Sequence, residues 1–140
     1  MQVQLNNQNL ENTLLSNGFV KLPDVLSKSS CEELITAYDN NIYRSTINMQ
    51  RYNFGRGEYK YYAYPLSDII GKLRNYFYEQ LKPVANEWVA RLKIDVEYPE
   101  AHAEYLDICH SHEQHRPTPL ILKYGADDFN TLHQDLYGEI

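Results

Sequence analysis

His133 and Asp135 stand two residues apart near the end of the 140-residue chain, and that spacing sets what chemistry they can share. Along an extended strand side chains alternate, so residues i and i+2 project from one face. An imidazole and a carboxylate placed this way can converge on one divalent ion. They would supply two of the three protein ligands in a 2-His-1-carboxylate facial triad, which leaves open positions on non-haem Fe(II). A bare His-x-Asp pair is common, and alone it reads more readily as an ordinary hydrogen-bonded strand residue beside an acid. The surrounding sequence has to carry the case.

That surrounding sequence is orderly. Leu120-Ile121-Leu122-Lys123-Tyr124 predicts a buried strand, Gly125 to Asp128 a turn, and Phe129 to Leu136 a second extended segment bearing the pair. Asp127 and Asp128 read as turn residues, because Asp favours such turns. Gln134 would face away from its two neighbours. Further upstream, Ser67 to Leu92 has the strongest helical periodicity: Ile69, Ile70, Leu73, Tyr76, Phe77, Leu81, Val84, Trp88, Val89 and Leu92 recur at three- and four-residue steps. Pro83 is expected to kink or divide that helix. Another helix is expected after Pro99, stopped by Arg116-Pro117-Thr118-Pro119. Nearer the start, Gly18 to Leu22 predicts a short strand, and Ser27 to Ser30 offer N-cap hydroxyls for a helix carrying Leu34, Ile35 and Tyr38.

Composition narrows the classes. A chain of 16.5 kDa with 43% hydrophobic and 13% aromatic residues can form a packed core, which excludes wholesale disorder. The formal net charge of −6 counts against generic wrapping of nucleic acid. Cys31 and Cys109 form no CxxC or zinc-like spacing, so a disulfide framework is not expected. No stretch approaches a membrane span, and no signal peptide is apparent. The expectation is a soluble, cytoplasmic protein. Residues 41–65 differ from the rest: four basic residues against Glu58 leave +3, so the remainder carries −9. Tyrosines are dense there, and the segment reads as extended or looped.

Taken together, the Leu120-to-Asp135 pattern of strand, Tyr-Gly turn, aromatic and His-x-Asp resembles the Fe(II)/2-oxoglutarate-dependent dioxygenases, in particular their prolyl-hydroxylase-like branch. Gly18 to Leu34 resembles that family's usual opening. Gly57-Glu-Tyr-Lys-Tyr-Tyr-Ala-Tyr-Pro65, Arg116-Pro-Thr-Pro119 and His133-Gln-Asp-Leu-Tyr-Gly-Glu139 look like an uncharacterised bacterial subfamily of it. The resemblance covers most of residues 18–140.

What it implies is an α+β protein: a region 1–115, mostly helical with a short strand, leading into the first strands of a double-stranded β-helix (jelly roll) at 116–140. His133 and Asp135 would be the first two Fe(II) ligands. Tyr124 matches a tyrosine that in some members hydrogen-bonds the 2-oxoglutarate cosubstrate. Arg56, Lys60 and Tyr62 would lie beside the active-site mouth and help hold a substrate of unknown identity, with O2 as the oxidant. The resemblance also implies a second histidine and a following Arg or Lys for the distal carboxylate of 2-oxoglutarate, both far downstream. Residues 1–140 hold neither, and 22 residues cannot complete a jelly roll. The sequence therefore reads as the N-terminal part of an oxygenase, truncated, split or decayed. It is expected to have no turnover alone and to need a C-terminal half or second chain.

Three other readings have a basis in the residues. His110, His112 and His115, with Glu113, could supply a third ligand or bind zinc, although a solvated helix end is the favoured reading. The aromatic and basic stretch Arg44 to Tyr64 could stack on single-stranded nucleic acid, which the small local charge makes an unfavoured partner. A non-catalytic interaction protein derived from an oxygenase, docking a partner through its helices or an exposed sheet edge, is the main alternative function.

Overall fold

A computed structural model of the chain describes residues 7–40 and 42–133. Among them are four helices, α1 (Asn7–Asn17), α2 (Lys28–Ala37), α3 (Asp68–Leu92) and α4 (His102–Ser111). Five strands accompany them: β1 (Tyr43–Asn48), β2 (Gly55–Arg56), β3 (Glu58–Tyr62), β4 (Leu120–Lys123) and β5 (Phe129–Asn130). A single 3-10 turn, Met49–Tyr52, joins β1 to β2. The architecture is mixed helix and small antiparallel sheets. No helix among the described residues is long and apolar enough to cross a membrane.

The helices begin and end where capping chemistry puts them. Ser27 accepts a hydrogen bond from the Ser30 amide and starts α2. Lys93 adopts a left-handed conformation after α3, and the Lys93 and Ile94 amides donate back to Ala90 and Val89. Helix α3 runs unbroken through Pro83 for 25 residues, contrary to the expected division. Proline removes a single intrahelical donor, and Val84 beside it is buried, so the apolar stripe holds both halves in one helix. The Asn86 side chain then fastens the return to α4 by bonding both the carbonyl and the amide of Tyr98.

The sheet lies where the sequence reads least clearly. β1, β3 and β4 form a three-stranded antiparallel sheet in that order, while β2 pairs with β5. The register sets Tyr43 opposite Tyr62 and Asn48 opposite Glu58, with a bulge at Arg44. β4 follows with Leu120 opposite Tyr61 and Lys123 opposite Glu58. Three strands thus fall within residues 43–62, the segment read as extended or looped, so region 1–115 carries more strand than the single short one expected, while Gly18 to Leu22 forms no strand at all.

The side chains buried as core are few: Leu10, Tyr38, Met49, Tyr62 and Val84 among the described residues. Large apolar groups such as Leu120, Leu122, Tyr124 and Phe129 stay substantially exposed. Among the described residues β4 is paired on one side only, which leaves an open sheet edge beside those residues.

Candidate functional site

The segment that ends in His133 is tied to the rest of the molecule by residues some seventy positions earlier. Gly55 pairs with Asn130, and Arg56 with Phe129. Gly55 has φ +123, and a Cβ there would lie 2.1 Å from the Phe129 carbonyl oxygen, so no side chain fits. The Arg56 guanidinium spans the turn, donating through Nε to Asp128 at 2.7 Å and through Nη2 to the Asp127 carbonyl. The other Asp128 oxygen accepts the Gly125 amide at 2.7 Å. The Gly125 amide, reinforced by Arg56, holds the Asp128 carboxyl below its ordinary pKa against the opposing effect of burial.

Next, the Thr131 amide and its hydroxyl both donate to the Phe54 carbonyl, at 2.9 Å and 3.1 Å. His133 Nδ1 lies 2.7 Å from the Thr131 carbonyl oxygen. A carbonyl can only accept, so Nδ1 carries the hydrogen and, in a neutral ring, Nε2 keeps the lone pair. A backbone carbonyl orienting one imidazole nitrogen is how metal-ligating histidines are commonly set. His133 is exposed. Asp135 and Gln134 lie outside the described residues. The imidazole, with its Nε2 lone pair, and the carboxylate two positions on suit Fe(II) as donors.

Tyr124 sits just past β4 and is 44% exposed. Its ring lies over Gly57, where a Cβ would come within 2.9 Å of Cδ1. Gly57, at φ +142, is thus both a backbone necessity and the seat of that ring. A cleft of about 430 Å³ opens beside them, lined by Gln50, Arg56, Gly57, Glu58, Lys123 and Asp128 among others. Its two cations and two carboxylates balance.

Lys60 and Tyr62 are elsewhere. Tyr62 is 1% exposed and belongs to the core, with its ring 5.1 Å from that of Tyr43. Burial pushes its phenol up to about 12. The Lys60 ammonium lies 4.1 Å from the centre of the Tyr38 ring and donates to the Tyr38 carbonyl and Asp39. Tyr38 in turn donates to Glu58 at 2.9 Å, and burial together with that bond raises its pKa. The side chains of Lys60 and Tyr62 are engaged in packing, whereas Arg56 and Tyr124 flank the cleft.

The histidine group at the end of α4 does not converge. His110 and His115 rings are 5.3 Å apart, but His112 Nδ1 turns to the Ile108 carbonyl at 2.9 Å. Among the described residues no three His, Cys, Asp or Glu side chains gather as a metal site would need. Both cysteines are free thiols.

Residues 57–140, more than half the chain and including β3, β4, β5, His133 and Asp135, match a family model described as an oxygenase catalysing oxidative methylation of damaged DNA. The chain belongs to this oxygenase family. Two uncharacterised proteins of Mycobacterium tuberculosis, from strains CDC 1551 and H37Rv, are each 45% identical to the chain over 76 residues, 54% of its length. The match covers 33% of each relative, so the chain spans about a third of the length of the curated relatives it matches. No solved structure matches it. The matched region starts at Gly57, the seat of Tyr124, and takes in the whole His133 arm.

Sequence reasoning did not anticipate Thr131, the Arg56–Asp128 bridge or the Gly57 seat. The Gly55-Arg-Gly57 triplet was a usable signal, since two glycines flanking an arginine suggest close backbone approach.

Proposed function

We propose that this oxygenase is Fe(II)- and 2-oxoglutarate-dependent, and that residues 1–140 supply one side of its active site. In this reading His133 Nε2 and Asp135 are two metal ligands, and Tyr124 bonds the cosubstrate at the mouth of the cleft. The observation that carries it is the hydrogen bond from His133 Nδ1 to the Thr131 carbonyl, which directs the lone pair to Nε2 on an arm anchored to the Phe54 carbonyl. Family membership gives the oxygenase chemistry that such a ligand would serve. A third ligand and a cation for the distal carboxylate of 2-oxoglutarate come from chain outside residues 1–140 or from a second chain.

Bound there, iron would couple decarboxylation of 2-oxoglutarate to succinate with insertion of one oxygen atom of O2 into a substrate C–H bond. The roles of this chain's residues are to hold and aim. Arg56 and Asp128 fix the turn, Thr131 sets the imidazole tautomer, and Gly57 lets the Tyr124 ring settle over the cleft. The substrate class proposed is damaged DNA, the substrate named in the family description. A net charge of −6 does not oppose this, because binding depends on charge at the contact rather than on the whole chain.

Anaerobic addition of Fe(II) with 2-oxoglutarate, followed by the visible charge-transfer band of the chelate, tests the reading. A saturable band should form and be lost in both His133→Ala and Asp135→Ala. A band that survives both substitutions would place the metal elsewhere. A folded protein with no band, even in its full-length form, would leave the non-catalytic interaction role, for which the open edge of β4 is the available surface.

A further inference from the structure

Two cavities adjoin at the end of the sheet remote from β5. One, about 450 Å³, is lined by Arg44, Tyr64, His115, Arg116 and Pro117 among others. The other, about 100 Å³, shares Tyr64 and Arg116 and adds Arg74 and His110. Three arginines and two histidines therefore face one groove, and no carboxylate among the described residues lines either cavity. In a chain that is acidic overall this separation of charge is marked.

The arginines are positioned without being neutralised. Arg44 donates through Nε to the Pro117 carbonyl at 3.2 Å and lies 4.1 Å from the centre of the Tyr61 ring. Arg74 donates to the Tyr64 hydroxyl at 2.9 Å. Both acceptors are uncharged, so each guanidinium is oriented while its positive charge remains. None of the three arginines forms an ion pair with a carboxylate among the described residues. Oriented, uncompensated guanidinium groups beside an exposed tyrosine ring suit successive phosphates with a base stacked between them. By contrast, the cleft near Tyr124 sets Arg56 and Lys123 against Glu58 and Asp128, and has no such excess.

From these observations we propose that the Arg44–Arg74–Arg116 groove holds the phosphate backbone of a single DNA strand. The proposal rests on the reading of the substrate as DNA and adds where the strand lies. Pro117 and Thr118, which line the groove, lead into β4 at Leu120, whereas the His133 arm begins beyond Lys123. Four strand residues separate the two ends by roughly 10 Å. The groove thus anchors the strand at a distance from the reacting position, and does not itself carry out chemistry.

Fluorescence anisotropy of a labelled single-stranded 12-mer, titrated with full-length protein lacking iron and 2-oxoglutarate, tests this. Wild-type binding should weaken with salt with a log–log slope of roughly −2, about −0.7 per phosphate neutralised. Arg116→Ala and Arg74→Ala should each lessen the slope by about 0.7, and Arg116→Glu should abolish binding at about 50 mM salt, where exposed charges are screened only beyond roughly 14 Å. Arg116 makes no protein hydrogen bond among the described residues, so its variants should retain wild-type circular dichroism. Lys28→Ala, on exposed α2, should bind as wild type does. Absence of binding at 50 mM salt, equal loss in Lys28→Ala, or equal affinity for polyglutamate of matched charge would each overturn the groove assignment. Since the assay contains no iron, a protein that forms the charge-transfer band yet binds no DNA defeats only this inference. One that binds DNA but forms no band defeats only the metal reading.

Discussion

The tyrosine cluster beneath the sheet and the arm carrying His133 hold the same kinds of polar residue in opposite ways. In the cluster, the Lys60 ammonium lies over the rings of Tyr38 and Tyr43 and faces the Asp39 and Glu58 carboxylates, while the Tyr43 ring packs on buried Tyr62, so these side chains are held by one another. In the arm, the side chains stay exposed while the backbone is pinned, by Gly55–Asn130 pairing and by Thr131 on Phe54. Residue type does not separate a packed polar group from a functional one. What separates them is whether side chain or backbone bears the fixing interactions.

The largest expected effect breaks the comparison at its core end. Tyr62→Ala should cost about 3–5 kcal/mol of stability, since it empties a fully buried aromatic site, whereas His133→Ala should shift stability by no more than about 0.5 kcal/mol. Urea unfolding of the two variants checks this, and comparable losses would mean the arm is structural. Next comes Gly55→Ala, whose methyl would collide with the Phe129 carbonyl. It should destabilise by about 1–3 kcal/mol through overpacking and weaken the Fe(II) chelate band. An unchanged band would show that β2–β5 pairing does not aim His133.

The smallest effect concerns pH, where the two regions should respond at opposite ends of the scale. Tyr62 is raised to about 12 from an unfolded value of 10.0. Its contribution is complete below pH 10 and is lost as pH rises through 12. Asp128 is lowered from 3.8. Its contribution is complete above that value and is lost as pH falls through the folded-state pKa. Amide NMR shifts of Gly125 should therefore move only in acid, and tyrosinate absorbance from the cluster should appear late in alkali. A Gly125 shift that titrates near neutrality would exclude the Asp128 clamp.

Much of the helical framework could be read from the sequence because its signals are local. Ser27 caps α2, the Ile69-to-Leu92 stripe runs along α3, and Leu120 to Lys123 form β4. Residues 43–62 were legible as extended or looped, but their division into strands and the pairing of β3 with the distant β4 were not, because that pairing joins residues about sixty positions apart. Gly18 to Leu22 has the pattern of a strand and no strand to pair with it. At the candidate site, the His-x-Asp spacing and the turn aspartates were visible. The residues that steady them were not, because Arg56 and Asp128 are 72 positions apart and only the fold brings them together. The cationic groove was hidden in the same way: its three arginines come from β1, α3 and the loop before β4, and a charge count over the chain averages them away.

The single oxygen of Phe54 that receives both donors of Thr131 acts as a fulcrum. With both lone pairs committed it cannot yield to one bond without straining the other, so Thr131 is held against sliding past Phe54. The imidazole stands two residues out along this lever, about 6.6 Å at strand rise, and small rotations at the pivot become large changes of aim at its tip. If His133 ligates a metal as proposed, its aim would then be governed by a backbone atom about eighty positions away in sequence, on a residue that need never touch the ion itself.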